Sequence, residues 1–463
     1  DGNIADASFQ ASGKEAVIAA GSILTDVIKD KSWQEAAACG VAGLRDLIGD
    51  GSAERDAAGE SGAGFKIDGN KAAQSAQFAI EALHLALEDS FRRGNFPAAA
   101  ETDENTVLMA MSGGVDSSMA CLMEKNDGRE VIGVTMRLAA AENDEDDNGN
   151  ESGFSCCSPR AIQEARALCH SLGIPHLTLD FTGEFEKMIV SSFISEYLAG
   201  HTPNPCIKCN AALRFPALVA VADQLGAGKV ATGHYARLVG RGARIHLARG
   251  RDRKKDQSYM LSAVKSSLLQ RLEFPLGEIE KEETRELALK AGIPAHNRPE
   301  SQDICFIHSN DYRAFLRQRR DFNLAGGDIV DSEGRKVGTH AGYTDYTVGQ
   351  RRGLGLSARR PMYVLSTDPE SNRVVVGSRD ELKVGRIWID GVNILAPPGD
   401  FNDLEIQVRY NSRAVSAAVI KIEGDRWLVG LNAPVHGVAP GQTAVIYRGE
   451  EVVAGGVIEE AGA

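Results

Sequence analysis

The stretch Met111-Ser-Gly-Gly-Val-Asp-Ser-Ser118 admits few folds. It follows the apolar run Thr106 to Met111 and leads into Met119-Ala-Cys-Leu-Met-Glu124, which predicts a strand, a tight glycine turn and a helix start. Gly113 and Gly114 let the backbone bend and approach an anion closely, with the first N–H groups of the helix and the Ser117 and Ser118 hydroxyls pointing at it. No GK[ST] follows, so this is not a Walker loop. From Asn105 the pattern is β-α-β: strands at Val131–Leu138, His176–Phe181 and Lys229–Ala236, and helices at Ser158–Leu172, Phe185–Leu198 and Ala211–Leu225. Alternation of this length predicts an α/β fold with a doubly wound parallel sheet. Ligands of such sheets sit beyond the carboxyl ends of the strands, where the glycine loop, Met136 and Gly233-His234 fall.

With 463 residues the chain holds several domains. A net charge of −13 argues against a simple nucleic-acid coat, yet the distribution says more than the sum. Acid is concentrated at Glu142 to Asp147. Base is concentrated between Arg237 and Lys255, with further pairs at Arg319-Arg320, Arg351-Arg352 and Arg359-Arg360, a pattern that favours a polyanionic substrate. No uninterrupted apolar run approaches the roughly 20 residues that span a bilayer, and no leader opens the chain, so a cytoplasmic protein with no membrane partner is expected. Opening on Asp rather than Met, the chain is expected to begin inside a longer product. The eight cysteines lack the density of a disulfide scaffold and are expected as thiols.

Residues 1–97 are Ala-rich with helical periodicity, and Asn95 to Glu104 reads as a linker. Further on, His201-Thr-Pro-Asn-Pro-Cys-Ile-Lys-Cys-Asn210 is a Pro-rigid loop that delivers two cysteines at CxxC spacing, readable as a redox pair, half a zinc site or a cluster ligand pair. A third cysteine arrives in Pro299-Glu-Ser-Gln-Asp-Ile-Cys-Phe-Ile307. Beyond Asp311 the parallel pattern stops. After residue 378 short alternating runs broken by Gly and Pro predict a small antiparallel barrel.

SGGVDS resembles the PP-loop of the N-type ATP pyrophosphatases, which cleave ATP between the α and β phosphates. Taken with NPCxxCN (204–210), ATGHYAR (231–237), KDQSYML (255–261), SQDICFI (301–307) and GQRRGLGL (349–356), it makes the chain from about residue 105 similar to the bacterial tRNA-specific 2-thiouridylases. The resemblance implies four parts: a helical region 1–97, a PP-loop catalytic domain 104–310, a small central domain 311–378 and a C-terminal β-barrel 379–463. Ala5 to Gly13, Ala19 to Lys31 and Ala79 to Leu83 resemble the later half of a U-type iron–sulfur scaffold, but Lys14 and Ala72 stand where its cysteines would be. Without thiolates such a site holds no cluster, so a degenerate, docking or stabilising module is expected.

For the catalytic part the resemblance implies ATP-dependent 2-thiolation of the wobble uridine, position 34, of tRNA. The C2 oxygen is adenylated, AMP and pyrophosphate leave, and sulfur arrives from a cysteine persulfide. It implies ATP and Mg²⁺ held by Ala110, Met111, Ser112, Gly113, Gly114, Val115, Asp116, Ser117, Met136 and Gly233, with Asp116 positioning the Mg²⁺–pyrophosphate. Cys305 carries the persulfide and Cys209 resolves it as a Cys209–Cys305 disulfide. The anticodon stem-loop is met by Asn204, Pro205, Cys206, His234, Lys255, Asp256, Gln257, Arg409, Tyr410 and Gln442. The sulfur donor is a protein persulfide, such as a cysteine desulfurase or a sulfur relay protein. Because Cys206 stands where many relatives carry an acid, a rival mechanism stays open, in which Cys206, Cys209 and Cys305 hold an iron–sulfur cluster with one iron left for sulfide. Two rivals in function are an amidating ligase of the same superfamily, which predicts no tRNA binding, and a sulfur-carrier protein that binds tRNA without modifying it.

Overall fold

The computed structural model describes residues 15–40, 44, 69–93, 101–139, 158–240, 245–294, 304–307, 311–319, 325–357, 360–396 and 403–462. Lys14 and the acidic run 142–147 lie outside them, as do Cys156 and Cys157. The chain forms two compact units, one of Asp1–Phe181, Leu218–Gly233 and Glu282–Pro299, the other of Thr182–Ala217, His234–Lys281 and Glu300–Ala463.

The first unit opens with helices α1 (Glu15–Ile28), α2 (Trp33–Ala37) and α3 (Gly69–Arg92). Ser32 and Glu35 form a reciprocal capping box that starts α2. In α3, Ala76, Ala79, Ile80, Leu83 and Leu87 recur at three- and four-residue intervals and are buried, which makes one apolar face. The helix packs on α1 and also reaches the edge strand β3 (His176–Asp180) of a parallel sheet built with β1 (Asp103–Ala110), β2 (Glu130–Arg137) and β4 (Ala227–Thr232), in the order β3-β2-β1-β4. Helices α4 (Val115–Asn126) and α5 (Pro159–Ser171) connect them. Ser158 caps α5 by accepting from the Ala161 N–H, and Pro159 supplies the fixed φ of a first turn. The chain leaves β1 toward β2 and β3 on one side and returns on the other as β4, so strand order reverses at β1. A ligand crevice belongs there.

The seam between α3 and the sheet is polar at its centre. His84, fully buried, has its Nε2 3.1 Å from Nε2 of His170 on α5, the rings stacked at 5.1 Å. Glu88 lies 3.6 Å from Arg166, which donates to Thr178 on β3. His176 Nε2 is 2.9 Å from Thr135 Oγ1. Burial, with the Arg166 cation adding to it, drives His84 down to about 2 and His170 to about 4, so the pair is neutral. The helical region thus meets α5 and β3 through a neutral histidine pair and the Glu88–Arg166 ion pair.

The second unit carries the remaining strands: β5 (Ala236–Val239), β6 (His246–Arg249), the short β7 (Leu272–Glu273), β8 (Gly327–Asp331), β9 (Lys336–His340), β10 (Tyr363–Asp368), β11 (Arg373–Gly377), β12 (Lys383–Ile394), β13 (Leu404–Gln407), β14 (Val415–Glu423), β15 (Arg426–His436), β16 (Thr443–Arg448) and β17 (Glu451–Gly462). The last six close into an antiparallel barrel, β12-β15-β14-β13-β16-β17, with β17 pairing back onto β12. Trp427, Ile387, Ile389, Ile406, Val429 and Ile446 are in its core. A four-stranded sheet, β10-β11-β8-β9, has its own core around Ile329, Tyr343, Val364 and Val374.

Two local readings of the sequence change. The strand expected from Lys229 to Ala236 is two strands: β4 stops at Thr232, Gly233-His234 breaks the run, and β5 pairs with β6 as a hairpin that joins the barrel at Glu451 and Ala248. The helices expected at Phe185–Leu198 and Ala211–Leu225 each contain a π-helical turn, Glu186–Val190 and Asn210–Arg214, a form that hydrophobic periodicity does not reveal.

Candidate active site

The glycine loop is built by its own side chains. Met111, buried beyond the end of β1, donates its N–H to Val134 of β2 at 2.8 Å. Ser112 Oγ and Ser117 Oγ lie 3.0 Å apart, the Ser112 N–H donates to Ser117 Oγ, and that hydroxyl reaches the Gly114 carbonyl at 3.2 Å. Ser117 and Ser118 are buried, and the Ser117 hydroxyl braces the loop from within. Gly114 is the residue before α4 and offers no side-chain cap to the first turn of this twelve-residue helix, the end that carries the positive pole of the helix dipole. Gly113 has φ +70°, and a Cβ there would lie 2.3 Å from the Ala161 carbonyl, so both conformation and space require glycine. Asp116 stands in the first turn of α4. Ala110 ends β1, Val115 begins α4 and is buried, and Met136 sits buried near the carboxyl end of β2. Gly233, just past β4, presses on this turn: a Cβ there would be 2.7 Å from the Ser117 nitrogen.

The thiol motif belongs to the second unit. Asn204 caps the helical turn Pro205–Cys209 by accepting from the Cys206 and Ile207 N–H groups at 3.2 and 3.4 Å, and Pro205 occupies the first position. Its amide nitrogen also reaches Met260 Sδ at 3.9 Å, while buried Asn210 donates to the Met260 carbonyl at 3.1 Å. Met260 therefore brackets the cysteine turn from both ends. The sequence reading missed this role, although KDQSYML was the clue. Arg214 donates to Asn210 Oδ1 at 3.3 Å, one turn on. Cys209 is buried and Cys206 partly exposed. Burial pushes the Cys206 thiol up, and the Arg214 charge pulls it back down.

Cys305 is partly exposed on a short segment anchored by its neighbour. Phe306 meets Phe193 at 5.4 Å, Phe185 at 5.6 Å and Phe315 at 5.2 Å. Lys208, in the cysteine turn, bonds Ser192. Both cysteine segments thus dock on consecutive residues of one helix, Ser191–Leu198. Cys206, Cys209 and Cys305 are thiols. Among the described residues no three His, Cys, Asp or Glu side chains gather as a metal ligand set.

The remaining predicted contacts divide by environment. His234 lies between Phe215 and Phe274, at 5.8 and 6.0 Å, and burial, aided by Arg214, drives it to about 3. It is neutral at physiological pH. Asp256 accepts from Gly250 N–H, Ser258 N–H and the Arg249 guanidinium, and Gln257 exchanges hydrogen bonds with the Tyr235 backbone. Both build the frame, and Lys255 adjoins them with its own N–H donating to Asp252. Arg409 donates to the Val348 and Gly437 carbonyls, Tyr410 packs on Tyr259 at 5.9 Å, and Gln442 donates to the Thr202 carbonyl at 2.7 Å. The basic segment is also committed: Arg237 and Arg253 pair with Glu450, Arg251 donates to the Glu278 carbonyl, and Arg249 lies 3.4 Å over the Tyr447 ring.

Among the described residues one helix, Pro205–Leu225, is long and apolar enough to cross a membrane; more than half of it is buried inside the protein, as in a core helix. It carries the cysteine turn itself.

Three family models match in succession: the tRNA methyl transferase HUP domain over residues 105–309, the tRNA methyl transferase PRC-barrel domain over 313–378 and the aminomethyltransferase beta-barrel domain over 385–458. The chain is 42% identical to the tRNA-specific 2-thiouridylase MnmA of Acidithiobacillus ferrooxidans, over 77% of this chain and 99% of that one. It is 44% identical to the MnmA of Chloroflexus aurantiacus, over 76% and 98%. With the bifunctional protein NifU/MnmA of Rubrobacter xylanophilus the identity is 41% and extends over 99% of this chain and 89% of that one, which takes in the helical region. On these matches, the chain belongs to the MnmA family of tRNA-specific 2-thiouridylases.

Proposed function

We propose that this protein is an ATP-dependent tRNA sulfurtransferase of the cytoplasm that converts the wobble uridine, position 34, to 2-thiouridine. The observation that carries the reading is that one chain holds both a helix start without a side-chain cap behind a serine-braced glycine loop and two separately anchored thiol segments. The two groups match the two halves of the chemistry. A uridine C2 oxygen is a poor leaving group, and adenylation lets it depart as AMP, which requires a place for pyrophosphate. The family-model description speaks of methyl transfer and the relatives' names of thiolation; a pyrophosphate cradle with thiols serves the second.

The cradle fits its ligand. The N–H groups at the start of α4 and the close backbone at Gly113 and Gly114 would hold phosphate oxygens, and the Asp116 carboxylate would hold Mg²⁺, which supplies charge neutralisation for the departing pyrophosphate. Cys305, loaded with a persulfide sulfur by a donor protein, attacks C2 of the adenylated base. Cys209 then attacks Cys305 Sγ, so that the thione leaves with the tRNA and a Cys209–Cys305 disulfide remains. The anticodon loop extrudes its base toward Asn204, Pro205 and Cys206, as enzymes acting on bases require. A neutral His234 serves as hydrogen-bond partner rather than as cation. The helical region 1–97, the catalytic part 104–310, the central part 311–378 and the barrel 379–463 divide the labour, with the first serving to stabilise or to receive the sulfur donor.

The test is a pair of variants. Cys305→Ser should form AMP-activated tRNA and no thiouridine, and Asp116→Ala should lose both. Normal thiolation by Cys305→Ser would remove the assigned carrier.

A further inference from the structure

We propose that Cys206 is the resolving thiol of a CxxC relay that regenerates the enzyme, taking over the Cys209–Cys305 disulfide and passing its oxidising equivalents to an external dithiol. The inference rests on the reading above and adds the step that closes its cycle. After sulfur transfer both protein thiols used in the reaction are oxidised, and Cys209 is buried, with 6% of its surface exposed. A protein-sized reductant in solution is poorly placed to attack that sulfur, which leaves it only the Cys305 side of the bond. Cys206, on the same helical turn, is the more exposed of the two.

Residues three apart on a helix hold their Cβ atoms about 5–6 Å apart, so a bond between them needs a local shift on the order of 1–2 Å to reach disulfide spacing. The place for that shift is present: the turn Pro205–Cys209 runs directly into the π-helical turn Asn210–Arg214, where the backbone register already changes. Burial holds the Cys206 thiol above its ordinary range, and the Arg214 cation, bonded to Asn210 one turn on, offsets part of that rise. The Cys305 segment is anchored next door by the Phe306 ring, which keeps it in place whichever sulfur Cys305 is bonded to.

The Cys206 thiolate attacks Cys209 Sγ. The Cys206–Cys209 bond forms, the Cys209–Cys305 bond breaks, and Cys305 departs as thiolate, ready for another persulfide. An external dithiol then reduces Cys206–Cys209 and becomes a disulfide, supplying two electrons and two protons. The oxidising equivalents originate in the persulfide sulfur, which ends in the tRNA thione.

The experiment uses the full chain with ATP, Mg²⁺, unmodified tRNA and one equivalent of glutathione persulfide, without added reductant. The reaction is quenched in acid, alkylated and mapped as non-reduced peptides. Wild type should carry Cys206–Cys209, and Cys206→Ser should accumulate Cys209–Cys305. Recovery of thiols by a thioredoxin-type dithiol should be at least about tenfold slower in that variant. Wild type carrying only Cys209–Cys305, or a Cys206→Ser protein that recovers at the wild-type rate, would overturn the relay. A second arm needs no turnover: equilibrating resting Cys305→Ser with oxidised dithiothreitol should give Cys206–Cys209, and failure there counts against the relay by itself. Absence of AMP and thiouridine in wild type while the second arm succeeds would instead indict the proposed function.

Discussion

Gly233 and Asp116 meet backbone to backbone: a Cβ on Gly233 would lie 2.8 Å from the Asp116 carbonyl carbon and 3.1 Å from its Cβ. The end of β4 is thereby pressed against the first turn of α4, on the side of β1 where strand order reverses. Because the obstruction is backbone, it cannot turn aside as a side chain would.

Gly233→Ala should therefore displace the first turn of α4. The expected cost is about 1–3 kcal/mol of stability from overpacking, with pyrophosphate release reduced by at least an order of magnitude. Thermal unfolding and a pyrophosphate assay measure both. An alanine variant with wild-type pyrophosphate release would show that the contact does not shape the cradle.

Among the described residues of the basic segment between Arg237 and Lys255, the arginines all have partners within the protein, some at the surface and some inside it. Arg249 is the clearest case, 3.2 Å from a buried Asp256, 3.3 Å from Gln407 and stacked over Tyr447. Arg249→Gln should destabilise the protein by about 3 kcal/mol, since it leaves Asp256 buried without its cation. Arg253→Gln, at an exposed pair with Glu450, should change stability little. Lys254→Gln should flatten the salt dependence of tRNA binding by about 0.7–0.9 log unit if it touches one phosphate. Urea unfolding and binding titrations at several salt concentrations separate the three.

Acid should loosen the docking of the helical region. His84, His170 and His176 all lie below the ordinary histidine range, burial being the largest cause and Arg166 the next. Their folded values are depressed, so the unfolded chain binds more protons below about pH 6.5. The stability they allow is complete above that pH, falls as pH drops toward the folded values and levels below them; His170, near 4, is the nearest. Glu88, raised by burial, works in the opposite direction in its own range. His170→Gln should show a shallower loss of unfolding free energy between pH 6.5 and 4 than wild type, by up to about 1.4 kcal/mol per pH unit for the histidine removed. Equal slopes would mean that the pair does not govern the seam.

Much of this was legible in the residues. A strand, a glycine pair and a helix start at Thr106 to Glu124 specify a parallel α/β unit because each local preference agrees with the others, and the short alternating runs after residue 378 specify a barrel for the same reason. The CxxC turn and the cysteine at 305 could be seen, but not that Lys208 and Phe306 settle on neighbouring residues, Ser192 and Phe193. Such contacts depend on tertiary packing, which periodicity does not encode. For the same reason the sequence did not show that the Ser117 hydroxyl closes the loop on Gly114. Charge counts likewise could not show that Arg249 lies against Asp256 and Arg253 against Glu450, because sequence does not reveal which carboxylates lie opposite.

The central claim is that ATP splitting at the cradle and sulfur transfer at the thiols serve one reaction on tRNA. Incubating the full chain with ATP, Mg²⁺, a persulfide donor and unmodified tRNA, then digesting the tRNA to nucleosides, tests it directly. The account predicts 2-thiouridine at position 34, with AMP and pyrophosphate formed in equal amount and none of the three without tRNA. Thiouridine made without ATP, or AMP made with no thiouridine in wild type, would contradict it.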